Sequence, residues 1–111
     1  MTEKDKRVIR KLIGHCDNIT RYTEKIDTEE AFTSDSMIAE ASVFNLLQIG
    51  ELSKQQLSDE IKLENPSIPW NAIYGLRNRV VHGYGDVDFT VVWDTVKEDI
   101  PMLKKELEAL I

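Results

Sequence analysis

The chain of 111 residues contains one cysteine, Cys16. A single thiol closes no internal disulfide and supplies no cysteine cluster for zinc, which points to a reducing compartment. Glycine and proline are scarce, with five and three residues, and that argues against a turn-rich sheet protein. No stretch approaches the ~20 apolar residues of a membrane span. The charged start Met1-Thr2-Glu3-Lys4-Asp5-Lys6-Arg7 is not followed by the apolar run of a secretory leader. These absences predict a cytoplasmic protein with no membrane contact. Excess positive charge is missing too. The formal net charge of −6 argues against a general coat for DNA or RNA, which needs a broad basic surface to displace counterions. A small local basic site remains compatible with it.

The hydrophobic fraction of 41% is enough for a packed core, and the length fits one domain, residues 1–111. No repeat or low-complexity segment interrupts it. Val8, Leu12, Cys16, Ile19, Thr23 and Ile26 recur at fours and threes. This spacing predicts a first helix over about residues 3–26, with Thr2 as N-cap and Asp5 three residues later. A polar stretch follows, with one helical turn at Glu29-Glu30-Ala31-Phe32. A second long helix over about 35–57 carries Met37, Ile38, Ala41, Val43, Phe44, Leu46, Leu47, Ile49 and Leu52 around most of its circumference. A helix apolar nearly all round is buried on more than one side, and in a short chain the second side fits a subunit interface.

Pro66 and Pro69 punctuate the connection 58–69, which has room for a short helical turn, and Pro69 can open a third helix over about 70–81. Gly83 and Gly85 mark its stop. Asp88 reads as the N-cap of a last helix carrying Val92, Val96, Ile100, Leu103, Leu107 and Leu110, with a kink expected near Lys97 to Pro101. The fold class expected is all-α: an antiparallel four-helix up-and-down bundle with an additional short helical segment and a kinked last helix.

Arg77, Asn78, Arg79 and His82 interrupt an otherwise apolar segment that includes Trp70, Ile73, Leu76, Val80 and Val81. Asn78 and His82 are four apart, so a continuing helix places them on one face, where the amide can orient the imidazole. Histidine titrates near neutrality and can take the proton of a ribose 2′-hydroxyl. Arginine offers a planar fork of donors that matches phosphate oxygens and stabilises charge building on phosphorus. Together they suit phosphodiester cleavage with no metal and no cofactor. Arg-x4-His alone is a weak signal, because Arg10 and His15 share it in the first helix. Asn78 and Tyr84 extend the second occurrence to Arg-Asn-x3-His-x-Tyr, which is far rarer by chance. Arg79 reads equally as a solvated surface residue or an RNA phosphate contact. Asn45, Gln48 and Glu51 either line a cleft, with Glu51 in support of the site, or pair with one another at an interface. His15 and Cys16 read as ordinary surface and core residues, and Trp70 and Trp93 as core anchors.

The segment Arg77-Asn78-Arg79-Val80-Val81-His82-Gly83-Tyr84 resembles the Arg-x4-His-x-Tyr motif of HEPN ribonucleases, in the HepT branch. The similarity extends to Asn45-Leu46-Leu47-Gln48-Ile49-Gly50-Glu51, to Pro69-Trp70-Asn71-Ala72-Ile73, and to Asp86-Val87-Asp88 through Val92-Trp93 and Ile100-Pro101-x-Leu103. Residues 1–34 match only in helical character. The resemblance implies a homodimeric four-helix bundle with a composite cleft, acting as a toxin that cleaves cellular RNA. It implies an MntA-like nucleotidyltransferase antitoxin that transfers AMP from ATP to the motif tyrosine. By position, Arg77 and His82 would be catalytic, Asn78 would support them, and Tyr84 would carry the O-AMP group. An alternative is a non-catalytic substrate-binding or partner subunit of a minimal nucleotidyltransferase. A dimerisation module without nucleotide chemistry would leave the polar cluster unexplained.

Overall fold

Thr2 starts the first helix, as its hydroxyl accepts the Asp5 N–H at 3.0 Å. In the computed structural model, which describes all 111 residues except the side chain of Tyr84, helix α1 spans Glu3–Thr23. Val8, Ile9, Leu12, Cys16 and Ile19 form its buried stripe, which places the Cys16 thiol in the core, where burial pushes its pKa up to about 12 and keeps it inert. The helix closes three residues before the expected end, and Ile26 is buried beyond it with its carbonyl accepting Lys97 Nζ at 3.2 Å. Asp5 does not close a capping box. It is buried, and its carboxylate accepts from the Ser58 N–H at 2.9 Å and the Ser58 hydroxyl at 2.7 Å. Burial alone would raise the Asp5 pKa, but the Ser58 donors outweigh it and hold the carboxyl below its ordinary range.

The polar stretch contains α2 (Glu29–Ser34). Phe32, read as part of a turn, is fully buried with its ring 5.2 Å from that of Trp93. Helix α3 (Ser36–Gln55) is capped by Asp35 and lies against α1 on one side and the segment 70–80 on the other. Gly50 permits the second approach, since a Cβ there would stand 3.0 Å from the Ile73 carbonyl oxygen. Buried Asn45 is satisfied by α1: its Oδ1 accepts from His15 Nδ1 at 2.8 Å and Asn18 Nδ2 at 3.1 Å. Met37 and Phe44 stand out on the solvent side of α3, 82% and 59% exposed.

Helix α4 (Asp59–Glu64) occupies the connection. The expected third helix is divided into α5 (Trp70–Tyr74) and α6 (Leu76–Val80) at Gly75, whose φ of −81° and ψ of 0° lie at the edge of the right-handed helical region. The last rod runs as α7 (Phe89–Asp94), a π turn (Thr95–Asp99) and α8 (Ile100–Glu108). Pro101 has no N–H to offer and crowds the carbonyl four residues back. The ladder absorbs it in the π turn, where the Ile100 N–H reaches the Thr95 carbonyl. Helices α1, α3, the α5–α6 pair and the last rod make the all-helical bundle expected from the sequence. Among the described residues the sole extended pairing is an isolated bridge between Val81 and Val87, and no helix is long and apolar enough to cross a membrane.

Candidate active site

The site is built where α6 ends. Leu76 and Val80 are buried and anchor the helix, so Arg77, Asn78 and Arg79 project from the bundle, all exposed. Successive helical residues turn by about 100°, which sends Arg77 and Arg79 to opposite flanks of the buried line. Arg79 faces the π turn, 3.8 Å from Asp99. Arg77 has no ion-pair partner among the described residues.

His82 does not continue the helix. Val81 turns extended, at φ −108° and ψ 116°, and His82 follows at φ −93° and ψ 176°. The expected stacking of Asn78 beneath His82 on one helix face is therefore not formed, because α6 stops two residues before the histidine. The turn after it is closed by three backbone bonds: His82 N–H to the Asp86 carbonyl at 2.7 Å, Asp88 N–H to the Val80 carbonyl at 2.8 Å, and Gly85 N–H to the His82 carbonyl at 3.1 Å. Gly85 makes this possible with a left-handed φ of 81°. The backbone places Tyr84 within this turn as part of Gly83–Gly85, while its side chain, on which the modification reading falls, lies outside the described residues.

The closed turn brings Asp88 to His82. One oxygen of Asp88 accepts the Val91 N–H at 3.2 Å and caps α7. The other lies 3.5 Å from His82 Nε2. The Asp88 pKa is lowered, first by the Val91 hydrogen bond and then, against a smaller rise from burial, by the imidazole. Sequence reasoning found Asp88 as a cap and missed this second contact, which depends on the loop closure across Val81 and Val87.

His82 and Arg79 share a groove of about 460 Å³ with Asp88, Val91, Asp94, Thr95, Glu98 and Asp99. Four carboxylates against one guanidinium make its field negative, an environment that repels phosphate. Arg77 does not line it. The imidazole stands at its rim with a side chain 56% exposed, and its open side is the one available to an anion. Arg79 also borders an apolar groove of about 370 Å³ between α5–α6 and α8. Glu51 is exposed and accepts from Gln55 Nε2 at 2.7 Å. By helical spacing it falls on the outer side of α3 with Phe44 and Met37, seven and fourteen residues before it.

A family model described as HepT-like ribonuclease matches residues 12–110. A candidate RNase of Methanocaldococcus jannaschii is 33% identical over 109 residues, covering 97% of this chain and 98% of its own length. A second from the same organism is 34% identical over 112 residues, covering 100% of this chain and 95% of its own. A protein of Thermococcus cleftensis named a probable ribonuclease HepT is 39% identical over 92 residues, 83% of this chain and 82% of its own. No solved structure matches.

Proposed function

This chain belongs to the HepT-like ribonuclease family, and from that premise we propose that it is a metal-independent RNA endonuclease in which Arg77 and His82 are the catalytic pair. The observation that carries the reading is the placement of Arg77. It is an exposed guanidinium with no acidic partner among the described residues of a chain with net charge −6, five residues before an exposed imidazole. An unpaired arginine amid so many carboxylates suits an anionic ligand. His82 takes the proton of a ribose 2′-hydroxyl, and the 2′-oxygen bonds to phosphorus. The P–O5′ bond breaks, the 5′-oxygen gains a proton from water, to which the His82 imidazolium gives up its own, and a 2′,3′-cyclic phosphate remains. Arg77 stabilises the phosphorane charge. Asn78, on the same exposed helix end, supports the phosphate side. Arg79 borders the acidic groove and is the weaker RNA contact, and Glu51 has a supporting role only if the cleft extends across α3.

Arg77 does not line the groove at whose rim His82 stands, which suits a composite cleft between two copies. The exposed Met37 and Phe44 stripe on α3 is the surface that suits self-association. In this reading the protein is a cytoplasmic toxin, held in check by an MntA-like nucleotidyltransferase that adds AMP to Tyr84. A bulky anion on the turn beside His82 would compete with RNA for the arginine. The acidic groove favours a second reading, a non-catalytic subunit that binds a nucleotidyltransferase.

The test is cleavage of total cellular RNA by purified protein in the presence of a chelator, with Tyr84 shown unmodified by intact mass. The expected result is fragments ending in cyclic phosphate, with the rate reduced about 100-fold or more in Arg77→Ala and in His82→Ala. Phe44→Glu is expected to give a monomer that does not cut. Intact RNA after incubation with the unmodified parent would overturn the nuclease reading and leave the second.

A further inference from the structure

The geometry assigns Asp88 the role of positioning residue for His82: it holds the imidazole with Nε2 protonated toward the carboxylate and leaves Nδ1 as the nitrogen that takes the 2′-hydroxyl proton. The assignment rests on the reading of His82 as general base. Asp88 is suited to the task because it cannot move freely. Its Oδ1 is engaged by the Val91 N–H, its own N–H is engaged by the Val80 carbonyl, and its Oδ2 is left pointing at His82 Nε2 from 3.5 Å. The backbone beneath the imidazole is fixed as well, since the His82 N–H and carbonyl are both tied into the turn. A carboxylate can only accept, so the nitrogen facing it must donate. The proton transferred in the reaction then arrives on Nδ1, and the resulting imidazolium stands beside an anion already in place. The separation of 3.5 Å is one seen without substrate, and such contacts tighten in the reacting complex.

The other charged groups facing the groove do not substitute for Asp88. Arg79 lies 3.8 Å from Asp99, and Asp94, Glu98 and Asp99 line the groove from α7 and the π turn. Among the described residues none of them comes within hydrogen-bond distance of the imidazole.

Two substitutions separate positioning from capping. Asparagine and serine both cap helices about as well as aspartate, so a role confined to the start of α7 predicts equal, small effects. Positioning predicts otherwise. In Asp88→Asn the amide oxygen is retained by the Val91 N–H, and the amide nitrogen is forced toward His82 Nε2. That nitrogen must then accept, the ring proton moves to Nδ1, and the base is blocked. In Asp88→Ser nothing forces either tautomer. The expected kcat losses are about 100-fold or more for Asp88→Asn and about 10-fold for Asp88→Ser, with KM within about twofold. A 15N–1H correlation spectrum of the neutral imidazole reads the tautomer without RNA. It is expected to show Nε2–H in the parent and Nδ1–H in Asp88→Asn. An Nδ1–H parent, or an unchanged tautomer in Asp88→Asn, overturns the assignment, as do equal kcat losses in the two variants. A tautomer that flips as expected in a parent that leaves RNA intact sustains the role of Asp88 and overturns the nuclease reading alone.

Discussion

The chain contains Arg-x4-His twice, and the two copies are built differently. Arg10 and His15 lie on unbroken α1. His15 is half-buried and faces α3, where its Nδ1 meets Asn45 Oδ1 at 2.8 Å. That bond satisfies an otherwise buried amide, which makes this histidine a packing residue with a modest stabilising role. Arg77 and His82 are separated by the end of α6. The histidine leaves the helix, its backbone is tied into a turn, and its ring is exposed beside Asp88. Residue spacing is identical in the two copies, so it is helix termination, set by the extended Val81 and the closure at Gly85, that separates a packing histidine from one free to meet a ligand.

The largest expected effect breaks this contrast directly. His82→Ala is expected to reduce RNA cleavage about 100-fold or more, while His15→Ala leaves kcat within about twofold. His15→Ala should instead lower the unfolding free energy by about 1 kcal/mol, the usual worth of one hydrogen bond, measured by urea denaturation. Equal loss of cleavage in both would mean that the two copies do not differ in kind.

The second effect tests how the active copy is held. Gly50→Ala places a methyl 3.0 Å from the Ile73 carbonyl and 3.7 Å from Leu76 Cβ. Backbone cannot yield as a flexible side chain does, so α5–α6 must move away from α3. A loss of about 1–3 kcal/mol is expected, together with weakened cleavage because α6 carries Arg77. Retained stability and activity would show that the close approach is dispensable. No comparable sensitivity is expected at Gly14 of α1, where an added Cβ meets nothing within 4 Å.

Much of this was legible in the sequence, and the division between what was and was not follows a physical line. The stripes of α1 and the last rod and the caps at Thr2 and Asp88 are local, and local patterns dictate them. The break at Gly75 was not legible, since an isolated glycine is tolerated in a helix interior and here its geometry goes with the packing of α5–α6 on α3 through Gly50. Phe32 looked like part of a polar turn because its partner, Trp93, is sixty-one residues away. Asn45 could be placed on α3, but its partners His15 and Asn18 depend on how α1 and α3 align. At the site, the motif residues were found by type and spacing. The Asn78–His82 stacking failed because it assumed a helix that ends too soon, and Asp88 was seen in only one of its two roles. The division of Arg77 and Arg79 between flanks is also a property of the folded helix.

A third prediction returns to the N-terminal region. Asp5 ties α1 to the start of α4 through Ser58, and its pKa is lowered in the folded protein. The stability it contributes is therefore present above its ordinary carboxylate value, 3.8, and is lost as the pH falls through the lower folded value. Asp5→Ala is expected to lower stability at pH 7 by about 1–2 kcal/mol, because the Ser58 N–H loses its partner. It should also flatten the acid limb of the unfolding free energy against pH. An acid limb identical to the parent's would remove Asp5 from this role, and cleavage at neutral pH should be unaffected, in contrast to every substitution around His82.

The smallest expected effect sharpens the contrast at its origin. Gly85 holds φ at 81° with open space around it, so Gly85→Ala adds no clash and only the strain of a left-handed alanine, about 1 kcal/mol. If termination geometry is what frees His82, that strain should appear more in catalysis than in stability. The turn can relax by giving up the Gly85 N–H bond to the His82 carbonyl, which loosens the backbone beneath the imidazole while leaving the core intact. A change in melting temperature of a few degrees at most, with a several-fold loss of kcat, is the expected pattern. A variant with unchanged kcat and a lowered melting temperature would mean that the turn serves the fold alone, and the distinction between the two histidines would then have to come from Val81.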